Sequence, residues 1–174
     1  MIELRKGDLF TAGTEAIVNT VNCVGVMGRG IALEFKKRYP TMFKEYVKLC
    51  KRGFIQVGFM WIWYESVNYI PLGCICLGDG LMGMRCNAPE HYTKGPKYVI
   101  NFPTKENWRN PSKLEWISAG LADLKNRVMM MGIESIAIPA LGCANGGLHF
   151  EDVRPLIEEK LNDLEIPIFL YEPQ

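Results

Sequence analysis

Two glycine-rich stretches and one lysine are the places where this 174-residue chain could do chemistry. "GVMGRG", Gly25 to Gly30, lies between a β-like run and a basic helix. "PALGCANGGLHF", Pro139 to Phe150, repeats that strand–glycines–helix arrangement. Glycine permits positive φ, so successive backbone N–H groups can converge on an anion. A helix starting near Gly30 adds the positive end of its dipole. In a parallel sheet both loops emerge at the carboxyl ends of strands, where ligands bind, and two such loops can grip both phosphates of a diphosphate. For the first loop alone, a tight strand-to-helix turn with no ligand is the competing reading.

The familiar phosphate motifs do not apply. A dinucleotide fingerprint needs a glycine where Leu33 stands. A P-loop needs a lysine where Ile31 follows Gly30, so hydrolysis of a nucleoside triphosphate is not implied. The lysine of interest is Lys105 in "FPTKENW". An arbitrary lysine is a solvated surface charge. This one falls just past a buried-looking strand, on the face where both glycine loops open. As a neutral amine it can attack an electrophilic carbon; as an ammonium it can stabilise or protonate a leaving group. Desolvation lowers its pKa and nearby phosphates raise it, so both roles stand.

The elements that must position these residues alternate. "IELRKG" and "EAIVNTVN" read as strands. Gly30 to Tyr39 reads as a helix with Ile31, Phe35 and Tyr39 on one face. Pro40 marks a boundary, and Thr41 is placed to cap a second helix reaching Lys51. "VGFMWIWYE" and "KYVINFP" read as strands, and Ser112 with Glu115 fits a capping box. Behind it Leu114, Ile117, Leu121, Leu124 and Val128 mark a core-facing helix. "ESIAIPAL" has the continuous apolar character of a buried strand. Val153, Leu156, Ile157, Leu161 and Leu164 mark a last helix that tolerates Pro155 in its first turn. "IPIFLYE" closes the chain as a strand. The expected fold is a single α/β domain, a mostly parallel mixed sheet between helical layers.

The irregular stretch from about Ser66 to Gly95 breaks this rhythm. It carries Cys74, Cys76, Cys86 and His91, a C-x-C…C-x4-H set that zinc's four-ligand chemistry would suit in residue type. C-x-C is tighter than the usual pair spacing, so reduced thiols are the favoured reading and no metal is assigned. Lys+Arg 20 against Asp+Glu 19 implies no bulk attraction to a polyanion, though a local basic patch remains open. No run is long and apolar enough for a membrane span or a signal peptide, so the six cysteines read as cytoplasmic thiols.

Four stretches together carry a specific resemblance: Asp8 in "KGDLF", "AIVNTVNCVGVMGRGIALEFKKRYP", "INFPTKENWR" and "AIPALGCANGGLHFEDVRPLIEE". They resemble a macrodomain, the ADP-ribose-binding fold, and within it the DarG-type DNA ADP-ribosyl glycohydrolase, a relative of terminal ADP-ribose protein glycohydrolase. The likeness covers nearly all of the chain except about 66–95 and implies a three-layer α/β/α domain. It implies that Asp8 accepts the adenine amino group, with the Leu9 backbone seating the ring. Asn22 would reach the distal ribose. Gly28, Arg29, Gly30 and Ile31 would wrap one side of the diphosphate, and Gly142, Cys143, Ala144, Asn145, Gly146, Gly147 and Leu148 the other. Thr104 joins this ligand set. Without the resemblance, Asp8 reads as a turn carboxylate and Asn22 as a strand-end side chain bonded to backbone.

Lys105 matches the family's catalytic lysine, with Asn22 beside it. The protein-directed relative has an aspartate where this chain has Gly146, and DarG-type domains share that glycine. The resemblance therefore implies removal of ADP-ribose from thymidine in single-stranded DNA, without a cofactor. Trp108 is then a platform for an exposed base, and Arg109 or Lys113 a contact to the phosphate backbone; plain packing is the alternative for Trp108. The implied partner is a cognate DNA ADP-ribosyltransferase toxin. DarG-type antitoxins commonly carry a further domain that binds it, so this chain is either a standalone relative or a fragment. Two other readings remain: a module that binds ADP-ribose without cutting, and a hydrolase acting on ADP-ribosylated protein.

Overall fold

A computed structural model describes residues 1–64 and 95–173. The Cys74, Cys76, Cys86 and His91 set lies outside them. Among the described residues six strands form one sheet: β1 (Ile2–Arg5), β2 (Ala16–Asn22), β3 (Trp61–Tyr64), β4 (Tyr98–Lys105), β5 (Ile136–Ile138) and β6 (Ile168–Tyr171). Their order is β1-β6-β5-β2-β4-β3, parallel throughout except for the antiparallel pair β3–β4. Four α-helices among the described residues cover it: α1 (Gly30–Arg38), α2 (Pro40–Lys51), α3 (Leu114–Met131) and α4 (Phe150–Leu161).

Alternation along the strands splits the core into two layers, because successive side chains point to opposite faces. Ala16, Val18, Ile100, Phe102, Ile136, Ile138, Ile168 and Leu170 pack with α3 and α4. Ile17, Val21, Val99, Ala137 and Tyr171 pack with α1 and α2 through Phe35, Met42 and Tyr46. The expected three-layer macrodomain-like α/β/α fold is present.

Some local expectations change. Pro40 is the first residue of α2 and Tyr39 its N-cap, so Thr41 lies inside the helix rather than capping it; proline suits that position because its missing N–H has no partner to lose. The Ser112–Glu115 capping box does not form. Lys113 is the N-cap of α3 and makes no side-chain cap bond. Ser112 is instead pinned elsewhere, its N–H donating to the Gly146 carbonyl at 2.8 Å. Leu114 consequently falls on the first turn and is 38% exposed, while Ile117, Leu121, Leu124 and Val128 are buried as expected. Leu164 lies beyond the end of α4 yet is buried.

Candidate functional site

β2 runs at the centre of the sheet between β5 and β4. The chain leaving β2 turns into α1 on one face, whereas those leaving β4 and β5 turn into α3 and α4 on the other. Such a divergence opens a crevice at the carboxyl edge of the strands. Both glycine loops border it. Lys105 closes β4 and is paired in register with Asn22, the last residue of β2, across an irregularity at Val21/Asn22. The lysine is thus the strand's final residue, because β4 runs two residues past Pro103, where the sequence reading ended it.

The first loop is folded around Asn22. Its Nδ2 donates to the Val26 carbonyl at 2.6 Å, and its Oδ1 accepts from the N–H of Val24 at 3.0 Å and of Val26 at 3.3 Å. Tyr46, fully buried on α2, donates its hydroxyl to the Asn22 carbonyl at 2.6 Å. Both ends of the Asn22 amide therefore hold the loop. Gly30, at φ 55°, opens α1, and Arg29 before it is extended and gives no side-chain cap. A helix start left uncapped in this way keeps its N–H groups for an anion.

In the second loop, Ala144–Gly146 forms one 3-10 turn closed by Gly147 at φ 78°. The N–H groups of Gly146 and Gly147 both donate to the Cys143 carbonyl, and that of Leu148 donates to Gly142. Those of Ala144 and Asn145, first in the turn, have no main-chain acceptor among the described residues. The two loops meet directly: a Cβ on Gly30 would lie 3.0 Å from Asn145 Nδ2.

Between them lies Lys105, 8% exposed. Its Nζ donates to the Asn145 carbonyl at 2.6 Å. Among the described residues it forms no ion pair, and burial holds its pKa below the ordinary lysine value. Thr104, also buried, aims its hydroxyl at the Val21 carbonyl, 3.5 Å away. Cys23 and Cys143 flank the loops as thiols, each pushed up to about 11 by burial, so both are protonated and unreactive at neutral pH.

Asp8 lies at the carboxyl edge too, after β1. One carboxylate oxygen caps the turn Leu9–Thr11 through the Phe10 N–H at 3.0 Å, and the other faces Arg38 at 3.4 Å. Arg38 in turn lies 4.0 Å over the Phe10 ring, and Phe10 packs on Phe35 of α1. Leu9 is buried beneath. Phe10, Arg38 and Tyr46 were not singled out by the sequence; only the basic end of α1, "KKR", hinted at one of them.

Trp108 and Arg109 stand apart on an exposed turn, stacked on each other at 4.4 Å. The Glu106 carbonyl ties that turn to the first loop by accepting from the Cys23 N–H at 3.0 Å. Lys113 is drawn towards Glu115 and Trp116 instead. No helix among the described residues is long and apolar enough to cross a membrane.

The Macro domain family signature matches residues 18–64 and 82–157, most of the chain and both loops. The chain belongs to the macrodomain family. Over 174 residues it is 44% identical to the DNA ADP-ribosyl glycohydrolase of Mycobacterium tuberculosis, covering 99% of this chain and 42% of that protein. The macrodomain of Mycobacterium tuberculosis DarG superposes with a TM-score of 0.84 at 43% identity, covering 100% of this chain and 99% of that one. Thermosipho africanus DarTG, solved in complex with ADP-ribose, superposes with a TM-score of 0.80 at 28% identity, over 99% of this chain and 41% of that one. This macrodomain thus spans under half the length of the curated relative it matches.

Proposed function

We propose that this macrodomain is an ADP-ribosyl glycohydrolase that removes ADP-ribose from thymidine in DNA. The observation that carries the reading is Lys105: a buried amine, free of any ion pair among the described residues, held between two loops whose N–H groups are open to a diphosphate. Gly28 to Ile31 and Gly142 to Leu148 hold the phosphates, Asp8 and Leu9 seat the adenine, and Thr104 and Asn22 border the distal ribose. For Asn22 this requires its amide to exchange a loop bond for a ribose hydroxyl, or to act through the loop it shapes.

The uncharged form that burial favours makes Lys105 a nucleophile. Its lone pair forms a bond to the anomeric carbon as the bond to the base breaks, and the electron pair leaves with the base, which takes up a proton. Water then releases ADP-ribose and restores the amine. Gly146 gives the lysine no carboxylate beside it, in keeping with the activity named for the mycobacterial relative. Trp108 and Arg109, on the exposed turn after β4, supply a stacking surface and a cation for the strand around the modified base. A DNA ADP-ribosyltransferase toxin is the partner whose product this activity would reverse, in the cytoplasm.

Incubation with ADP-ribosylated single-stranded DNA and ADP-ribosylated protein, side by side, tests the reading. Release from the DNA alone is expected. Release from protein alone would move the substrate class, and release from neither, with ADP-ribose still bound, would make this a binding module.

A further inference from the structure

Ser112 is buried and its hydroxyl has no hydrogen-bond partner among the described residues, an uncommon state for a polar atom with so little access to water. It lies where two loop glycines need room. A Cβ built on Gly146 would stand 2.5 Å from Ser112 Oγ and 3.2 Å from its Cβ, and one built on Gly142 would stand 3.1 Å from the same Cβ. Rotation about χ1 moves the hydroxyl but leaves the Cβ contacts in place. The Ser112 N–H also donates to the Gly146 carbonyl at 2.8 Å. Gly146 adjoins Asn145, whose carbonyl holds Lys105.

The backbone at Gly146 does not itself demand glycine, since its φ is not positive. Only the neighbour forbids a side chain there. We propose that Ser112 is a specificity-determining positioning residue: it keeps position 146 free of a side chain, and so fixes the diphosphate-binding shape of the second loop and leaves Lys105 without a side-chain partner. The part concerning Lys105 rests on the function proposed above; the part concerning the loop does not.

The test is a double-variant cycle read by affinity for free ADP-ribose, which requires no catalysis, with melting temperature measured for every protein. In the parent background Gly146→Ala should weaken binding by about tenfold, the scale of an added methyl in a packed site. In Ser112→Gly the same change should cost less than about threefold. Ser112→Ala, which removes the hydroxyl but keeps the Cβ, should give an intermediate cost and should itself leave the melting temperature unchanged, because the lost hydroxyl has no partner among the described residues. It carries the test if Ser112→Gly does not fold. Equal costs of Gly146→Ala in the parent and Ser112 variants, or none in the parent, would overturn the proposal. Restored binding in a protein whose parent releases no ADP-ribose from DNA would leave the loop assignment standing while the hydrolase reading fell.

Discussion

Lys105 Nζ donates to the Asn145 carbonyl oxygen at 2.6 Å, so the amine that closes β4 is held by the loop that follows β5. The bond joins the candidate reactive group to the candidate phosphate cradle. A ligand that reshapes the second loop therefore acts directly on the lysine.

Burial lowers the Lys105 pKa below 10.5. With the amine as nucleophile, kcat/KM for ADP-ribose release should rise with pH to a plateau, with an apparent pKa below that of a free lysine. A rate that falls through the same ionisation would assign the ammonium as the active form. Stability has its own sign. The unfolded chain binds the proton more tightly, so this group's contribution to stability increases as pH rises through the lowered folded pKa. At neutral pH, below the unfolded value, burying this amine costs stability. Lys105→Met should abolish activity without lowering the melting temperature at pH 7.

Tyr46→Phe removes the hydroxyl that donates to the Asn22 carbonyl and contacts its Oδ1. Loss of one buried hydrogen bond should cost roughly 1–3 kcal/mol in chemical denaturation. Affinity for ADP-ribose should fall as well, because the first loop is built on Asn22. An unchanged affinity would separate this brace from the binding surface.

Gly142 combines φ 69° with a close approach: an added Cβ would lie 2.8 Å from Leu148 Cδ1 and 3.3 Å from Ile117 Cδ1. Gly142→Ala should destabilise by about 1–3 kcal/mol through overpacking, with left-handed strain added. Isothermal titration should show weaker ADP-ribose binding. Full affinity in a folded variant would show that the second loop tolerates a different shape.

Much of this arrangement was legible in the sequence because it rests on periodicity and glycine chemistry. Phe35 on α1, Tyr39 just past its end, and Ile117, Leu121, Leu124 and Val128 on α3 face the core as their spacing requires. The start of α3 was not legible. Ser112 has the residue type of a cap, but a contact with Gly146, 34 positions away, draws it into the second loop. Tyr46 shows the same limit: its bond to Asn22, 24 positions away, is a product of the fold. That Gly146 stands where the protein-directed relative has an aspartate was legible through the family resemblance, whereas the serine that packs against it was not.

The most direct test of the central claim is Lys105→Ala, assayed in parallel for ADP-ribose release from thymidine-modified DNA and for binding of free ADP-ribose. The lysine should act on the scissile bond while the loops hold the diphosphate. Release should therefore fall by on the order of 10²-fold or more, and affinity should change by less than about tenfold, roughly 1.4 kcal/mol. A variant that cleaves as fast as the parent would contradict the account and reduce Lys105 to a strut for the second loop.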